Sequence, residues 1–81
     1  INIGQFDRVA KRNRVINQLA IEHGVDAKDI IGNGKKRNVV LARKRGYKAL
    51  QDMGWTLSVI GRMMGNRDHS TISHGIRSLQ P

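Results

Sequence analysis

The residues best equipped for recognition chemistry stand in one run, Gly65-Asn66-Arg67-Asp68-His69-Ser70-Thr71-Ile72. Asp68, His69 and Ser70 are short or planar polar side chains, and they crowd into the first turn of an amphipathic helix that follows a glycine-marked turn. A helix N-terminus projects its first side chains forward. The major groove of duplex DNA admits such a helix and shows a distinct donor and acceptor pattern for every base pair. The run therefore points to base reading by Asp68, His69 and Ser70. The competing reading is plainer: Asp and Ser satisfy orphan N–H groups at helix starts in any fold.

Other chemistries find little support. The histidines His23, His69 and His74 are scattered, and the last two, five apart on one helix, point ~140° away from each other and cannot share a metal. The acids stand singly, and Ser73 and His74, as neighbours on a helix, do not face each other. No catalytic residue and no metal site is expected, and no small-molecule substrate or cofactor is implied. Fifteen Lys+Arg against six Asp+Glu leave a formal charge of +9 on 81 residues, the electrostatic footprint of a polyanion binder. Nucleic acid is the leading partner; an anionic membrane surface or an acidic protein is the lesser alternative that charge alone leaves open.

Length and composition narrow the fold. Eighty-one residues allow one domain with a single core, and one Phe, one Trp and one Tyr leave that core to Ile, Leu, Val, Ala and Met, which suits packed helices. There is no cysteine, hence neither a disulfide framework nor a thiolate metal site. No apolar run exceeds Val39 to Ala42, far short of the ~20 residues that span a bilayer. A soluble, cytoplasmic protein without a membrane partner is expected. The chain begins at Ile1 rather than Met, as an excised domain would.

The elements that must position the polar run are legible in the hydropathy period. From about Asp7, Val9, Val15, Ile16, Leu19, Ala20 and His23 recur at helical spacing up to Gly24, with Arg8, Lys11, Arg12 and Arg14 on the other side. Asp26 and Asp29 resemble a capping box for a short helix from Ala27 to Ile31. The basic Lys35-Lys36-Arg37 loop leads into a third helix from about Asn38 to Met53, whose apolar stripe is Val39, Ala42, Gly46, Ala49, Leu50 and Met53. Arg37, Lys44 and Lys48 follow another side of it. Thr56 caps a fourth helix to about Met64, with Trp55 as a structural staple on Ile60. About three residues then separate it from a fifth helix starting at Asp68, whose core stripe is Ile72, Ile76 and Leu79. The expectation is an all-α domain of about five helices, spanning residues 1–81, with a helix-turn-helix.

Nearly the whole chain resembles the C-terminal DNA-binding domain, domain IV, of the bacterial DnaA replication-initiator family. The family's recognition helix opens on a G-G-R-D-H-S/T-T-V run, matched by Gly65 to Ile72. Leu57-Ser58-Val59-Ile60-Gly61 resembles its S-L-P-E-I-G helix, and Val40-Leu41-Ala42-Arg43 its V-x-A-R start of a long basic helix. The resemblance implies that Asp68, His69 and Ser70 read bases in the major groove while Arg67 and Thr71 hold flanking phosphates. It also implies that Lys35 or its neighbours Lys36 and Arg37 enter the adjacent minor groove, and that Arg43 and Lys44 approach the backbone; Lys48, on the same basic side of helix three, is expected to do so too.

The chain departs from the family at Asn66, which replaces the second glycine, and at Lys44, which stands where Gln is usual. The segment from Arg43 to Thr56 is about one residue shorter than in the family. No phosphate loop of the G-x-x-x-x-G-K-[ST] type occurs, so no ATPase domain is present in these residues. The reading is therefore monomeric, sequence-specific binding of double-stranded DNA in the nucleoid, serving origin recognition or transcription control. The rival reading is a basic architectural or RNA-binding module without sequence preference. The lack of aromatic stacking platforms counts against single-stranded RNA.

Overall fold

A computed structural model of the chain describes residues 3–79. Residues 1, 2, 80 and 81, which the single-domain reading includes, lie outside the described residues. The described residues form five α-helices and no strand: α1 Ile3–His23, α2 Ala27–Ile31, α3 Arg37–Asp52, α4 Leu57–Met63 and α5 His69–Arg77.

Helix α1 starts four residues ahead of the expected Asp7 and ends where expected, before Gly24. Its Ile16 and Leu19 are buried, as the helical period requires. The opposite side is not uniformly free. Arg12 donates to the Met63 carbonyl at 2.9 Å and ties α1 to the end of α4, and Lys11 pairs with Asp7 at 3.0 Å. Helix α2 begins after Asp26, but the Asp26 side chain makes no capping hydrogen bond. The Asp26 carbonyl serves instead, accepting from the Asp29 and Ile30 N–H groups at 3.1 and 3.3 Å. Asp29 is one methylene shorter than the Glu that normally reaches back to close a capping box.

Helix α3 begins at Arg37, one residue earlier than read from the sequence, and closes at Met53. Val39, Ala42, Gly46 and Leu50 are buried as expected, but Met53 is 44% exposed because it lies past the last turn as the chain leaves the core. Tyr47, absent from the expected stripe, is buried instead. Room for its ring comes from Gly75 of α5, where a Cβ would stand 2.8 Å from Tyr47 Cδ2. Gly46 likewise permits a close crossing, since a Cβ there would stand 3.3 Å from Ile16 Cδ1 on α1 and 3.4 Å from Met64 Cε.

The Thr56 hydroxyl caps α4 by accepting from the Val59 N–H at 3.3 Å, and Trp55 packs half-buried on the core. Met64, fully buried, ends the helix. Gly65 and Asn66 both adopt left-handed backbone, at φ 81 and 57, and turn the chain sharply. The Arg67 N–H then donates to the Gly61 carbonyl at 2.7 Å, folding the turn onto α4. Ile60, Ile72 and Ile76 complete the core between α4, α5 and α3. The outcome is a helix-turn-helix whose second helix presents its N-terminus outward.

Candidate nucleic-acid interface

Asp68 is the N-cap of α5. One carboxylate oxygen accepts from the Ser70 N–H at 3.1 Å, and the other stands 3.4 Å from His69 Nδ1. The capping reading of Asp68 thus holds for one oxygen, while the side chains of Asp68 and His69 remain 67% and 63% exposed. Hydrogen bonds from the Ser70 backbone, then from its hydroxyl, hold the Asp68 carboxyl below its ordinary value, with His69 adding a smaller pull. It is an anion at neutral pH. Because the folded value is lowered, the stabilisation is complete above the ordinary carboxylate range and is lost as pH falls through the lowered value. Asp68→Asn keeps the cap without the charge. In an acid titration followed by circular dichroism, the Asn variant should therefore lose less stability than the parent over that window; parallel curves would show that the ionised form of Asp68 contributes nothing.

Three adjoining grooves connect the expected site residues across one face. The first is lined by Lys35, Arg37, Lys44 and the end of α5 at Ser78 and Leu79. Lys44 is shared with the second, between α3 and α5, where Thr71, His74 and Arg67 also lie. Arg67 is shared with the third, which Asp68 and His69 line together with Ser58, Arg62 and Asn66. A continuous track of grooves thus runs from the basic loop, past Lys44, to the first turn of α5, its walls largely apolar until it reaches Asp68 and His69. Ser70 and Thr71 are exposed at that turn.

Not every expected residue belongs to the track. Lys48 is exposed and paired with Asp52 at 2.9 Å, one turn along α3. Lys36 lies beside Asp26 and Asp29 in a separate groove, which Arg37 borders as well. Arg43 and Arg67, expected to hold phosphates, both hydrogen-bond to backbone carbonyls of the protein itself. Arg43 donates from Nε to the Ile30 carbonyl at 2.7 Å and from Nη2 to the Asp29 and Gly34 carbonyls at 2.7 and 2.9 Å. Arg67 donates from Nη1 to the Ile31 carbonyl at 2.8 Å and to that of Met64, and from Nη2 to that of Gly32. These guanidinium groups are spent on the protein's own backbone. Burial first, then the neighbouring Arg67, push the Arg43 guanidinium below its ordinary value, though it stays a cation; burial raises the Tyr47 phenol beside them.

Three residues that sequence reading passed over join the track. His74 lies one turn beyond Thr71 on the same face of α5, a spacing that was available in the sequence. Ser58 and Arg62 come from α4 and reach the third groove only because the turn folds α5 back onto that helix. Among the described residues no three of His, Asp and Glu assemble into a metal-binding group, and no helix is long and apolar enough to cross a membrane.

Residues 13–79 match a family model described as the bacterial DnaA protein helix-turn-helix. The chain is also similar to the chromosomal replication initiator protein DnaA of Herpetosiphon aurantiacus, with 33% identity over 66 residues, 80% of this chain. The same protein from Cereibacter sphaeroides is 32% identical over 75 residues, 91% of the chain, and that of Thermus thermophilus 30% over 67 residues, 82%. The match spans 14%, 16% and 15% of those relatives' respective lengths. No solved structure is matched.

Proposed function

Because the chain belongs to the bacterial DnaA helix-turn-helix family, we propose that residues 1–81 form one domain that binds a short double-stranded DNA site with sequence preference and serves replication initiation. The observation that carries this reading is the continuous track from Lys35 to His69, which joins a basic loop to the open first turn of the second helix of a helix-turn-helix. In it Asp68, His69 and Ser70 read base edges in the major groove. An ionised Asp68 with one oxygen outside the cap accepts from an exposed base amino group, and His69 and Ser70 donate or accept as the base requires. Thr71 and Lys44 hold phosphates, Lys35 and Arg37 enter or flank the neighbouring minor groove, and Lys36 and Lys48 contribute less. The domain acts as one copy, without catalysis of its own, in the cytoplasm on the nucleoid. The relatives named above are replication initiators by name; transcription control finds no support among them.

Selection from a randomised duplex pool tests the reading and should enrich one compact motif. Enrichment of none, or equal competition by structured RNA, would leave a non-specific basic module. His69→Ala should weaken the selected site by about 1–3 kcal/mol, the scale of a base contact, and leave random-sequence binding nearly unchanged. A matched fall in both kinds of binding, with a drop in thermal stability, would mean that His69 is a packing residue instead.

A further inference from the structure

Six consecutive residues from the end of α2 up to the basic loop, 29–34, hold an unusual share of the charge-assisted hydrogen bonds in this protein. The carbonyls of Asp29, Ile30, Ile31, Gly32 and Gly34 each accept from a guanidinium, three from Arg43 on α3 and the others from Arg67 in the helix-turn-helix turn. Arg67 also takes the Met64 carbonyl at the end of α4. Several of these carbonyls are the ones a helix end leaves unpaired. Two like charges stand side by side to satisfy them, and the repulsion between them is a cost that a surface pair free to separate would avoid.

We propose that Arg43 and Arg67 are positioning residues: together they lock the segment that delivers Lys35 and Arg37 to the turn that delivers Asp68 and His69, and so set the spacing between the two groups. The inference rests on the DNA-binding reading above for its consequence, but the lock itself is a property of the free protein. Chain geometry agrees with it. A Cβ at Gly65 would stand 2.5 Å from both Arg67 Nη1 and the Ile31 carbonyl oxygen, so only glycine leaves the guanidinium its place between turn and loop. At the other end of the lock, a Cβ at Gly34 would stand 2.8 Å from Val39 Cγ1 and 3.2 Å from the Asp29 carbonyl oxygen.

Lysine separates this role from a phosphate grip. It keeps the charge but loses the planar fork that spans three carbonyls. Arg67→Lys and Arg43→Lys are compared with the parent chain in two measurements. In the first, limited trypsin digestion of the free protein is followed by fragment mass, with cleavage after Lys11 and Arg14 in α1 as the internal reference. Cleavage after Lys35, Lys36 and Arg37 should accelerate roughly tenfold or more relative to that reference. No acceleration, or an equal acceleration at every site, would overturn the lock, because the arginines would then brace nothing or brace the whole fold.

In the second measurement, base preference is read by selection from the randomised duplex pool. Each Lys variant should lose preference at the base pairs flanking the α5 footprint and keep preference within it. A Lys variant that retains both preferences and the parent's salt slope would make the arginine a phosphate grip and overturn the positioning role. A parent chain with no sequence preference at all, yet with the selective proteolysis, would overturn the DNA-reading proposal and leave the lock standing.

Discussion

Gly61→Ala is expected to destabilise the protein by more than about 3 kcal/mol, the upper end of what overpacking costs. The added Cβ would stand 2.1 Å from the Arg67 carbonyl oxygen and 3.6 Å from Ile72 Cγ1. The first neighbour is backbone, pinned by the hydrogen bond from the Arg67 N–H to the Gly61 carbonyl and by the guanidinium network beyond it. It cannot swing aside as the tip of a flexible side chain would. The turn must therefore lift off α4, breaking that hydrogen bond and loosening Ile72 from the core. For a domain of this length the whole stability is on the order of 4–12 kcal/mol, so the variant should lose at least about a quarter of it. Gly46→Ala is the control. Its Cβ would meet only side-chain atoms at 3.3–3.6 Å, and Ala gains about 1 kcal/mol of helix propensity over Gly, so the net change should stay within about 1 kcal/mol. Urea denaturation of both variants checks the contrast, and equal midpoints for the two would refute the close-approach argument.

Replacing Lys35, Lys36 and Arg37 together by Ala should produce the largest change in binding. Each phosphate contact removed flattens the slope of log affinity against log salt by about 0.9 in duplex DNA. Lys35 and Arg37 share a groove with Lys44, whereas Lys36 lies beside Asp26 and Asp29. Two contacts rather than three are therefore expected, a flattening of roughly 1.8. If one of these residues enters a minor groove, whose width and potential depend on A·T content, the triple variant should also lose preference at base pairs flanking the α5 footprint. Lys44→Ala, by contrast, should weaken all sequences alike. Unchanged flanking preference in the triple variant would reduce the loop to a phosphate clamp, and an unchanged salt slope would remove it from the interface.

The elements that carry these effects were legible in the chain because they depend on neighbours within a turn or two. The period of Ile16 and Leu19, the Thr56 cap, the left-handed pair Gly65 and Asn66 and the Asp68 cap that opens α5 are all local choices, and the structure realises each of them. Two helix starts shifted, to Ile3 from Asp7 and to Arg37 from Asn38, while α2 kept its expected bounds with the Asp26 carbonyl in place of a side-chain cap. What the tertiary structure alone decided is how the charged and aromatic side chains are spent. Read in sequence, Arg43 and Arg67 stand in two motifs that resemble the family's and are expected to approach phosphates, and nothing beside them shows which carbonyls they reach. Their partners lie 13 and 36 residues away, at Ile30 and Ile31, and become reachable only when α2, α3 and the turn pack together. Tyr47 is buried only because α5 brings Gly75 against it, and Lys35, Lys44 and His69 fall on one track only because the basic loop, α3 and the helix-turn-helix pack together. Helix starts and turns follow from short-range sterics and hydrogen bonding, but the assignment of a long flexible cation to carbonyl or solvent depends on which groups the fold brings within its reach.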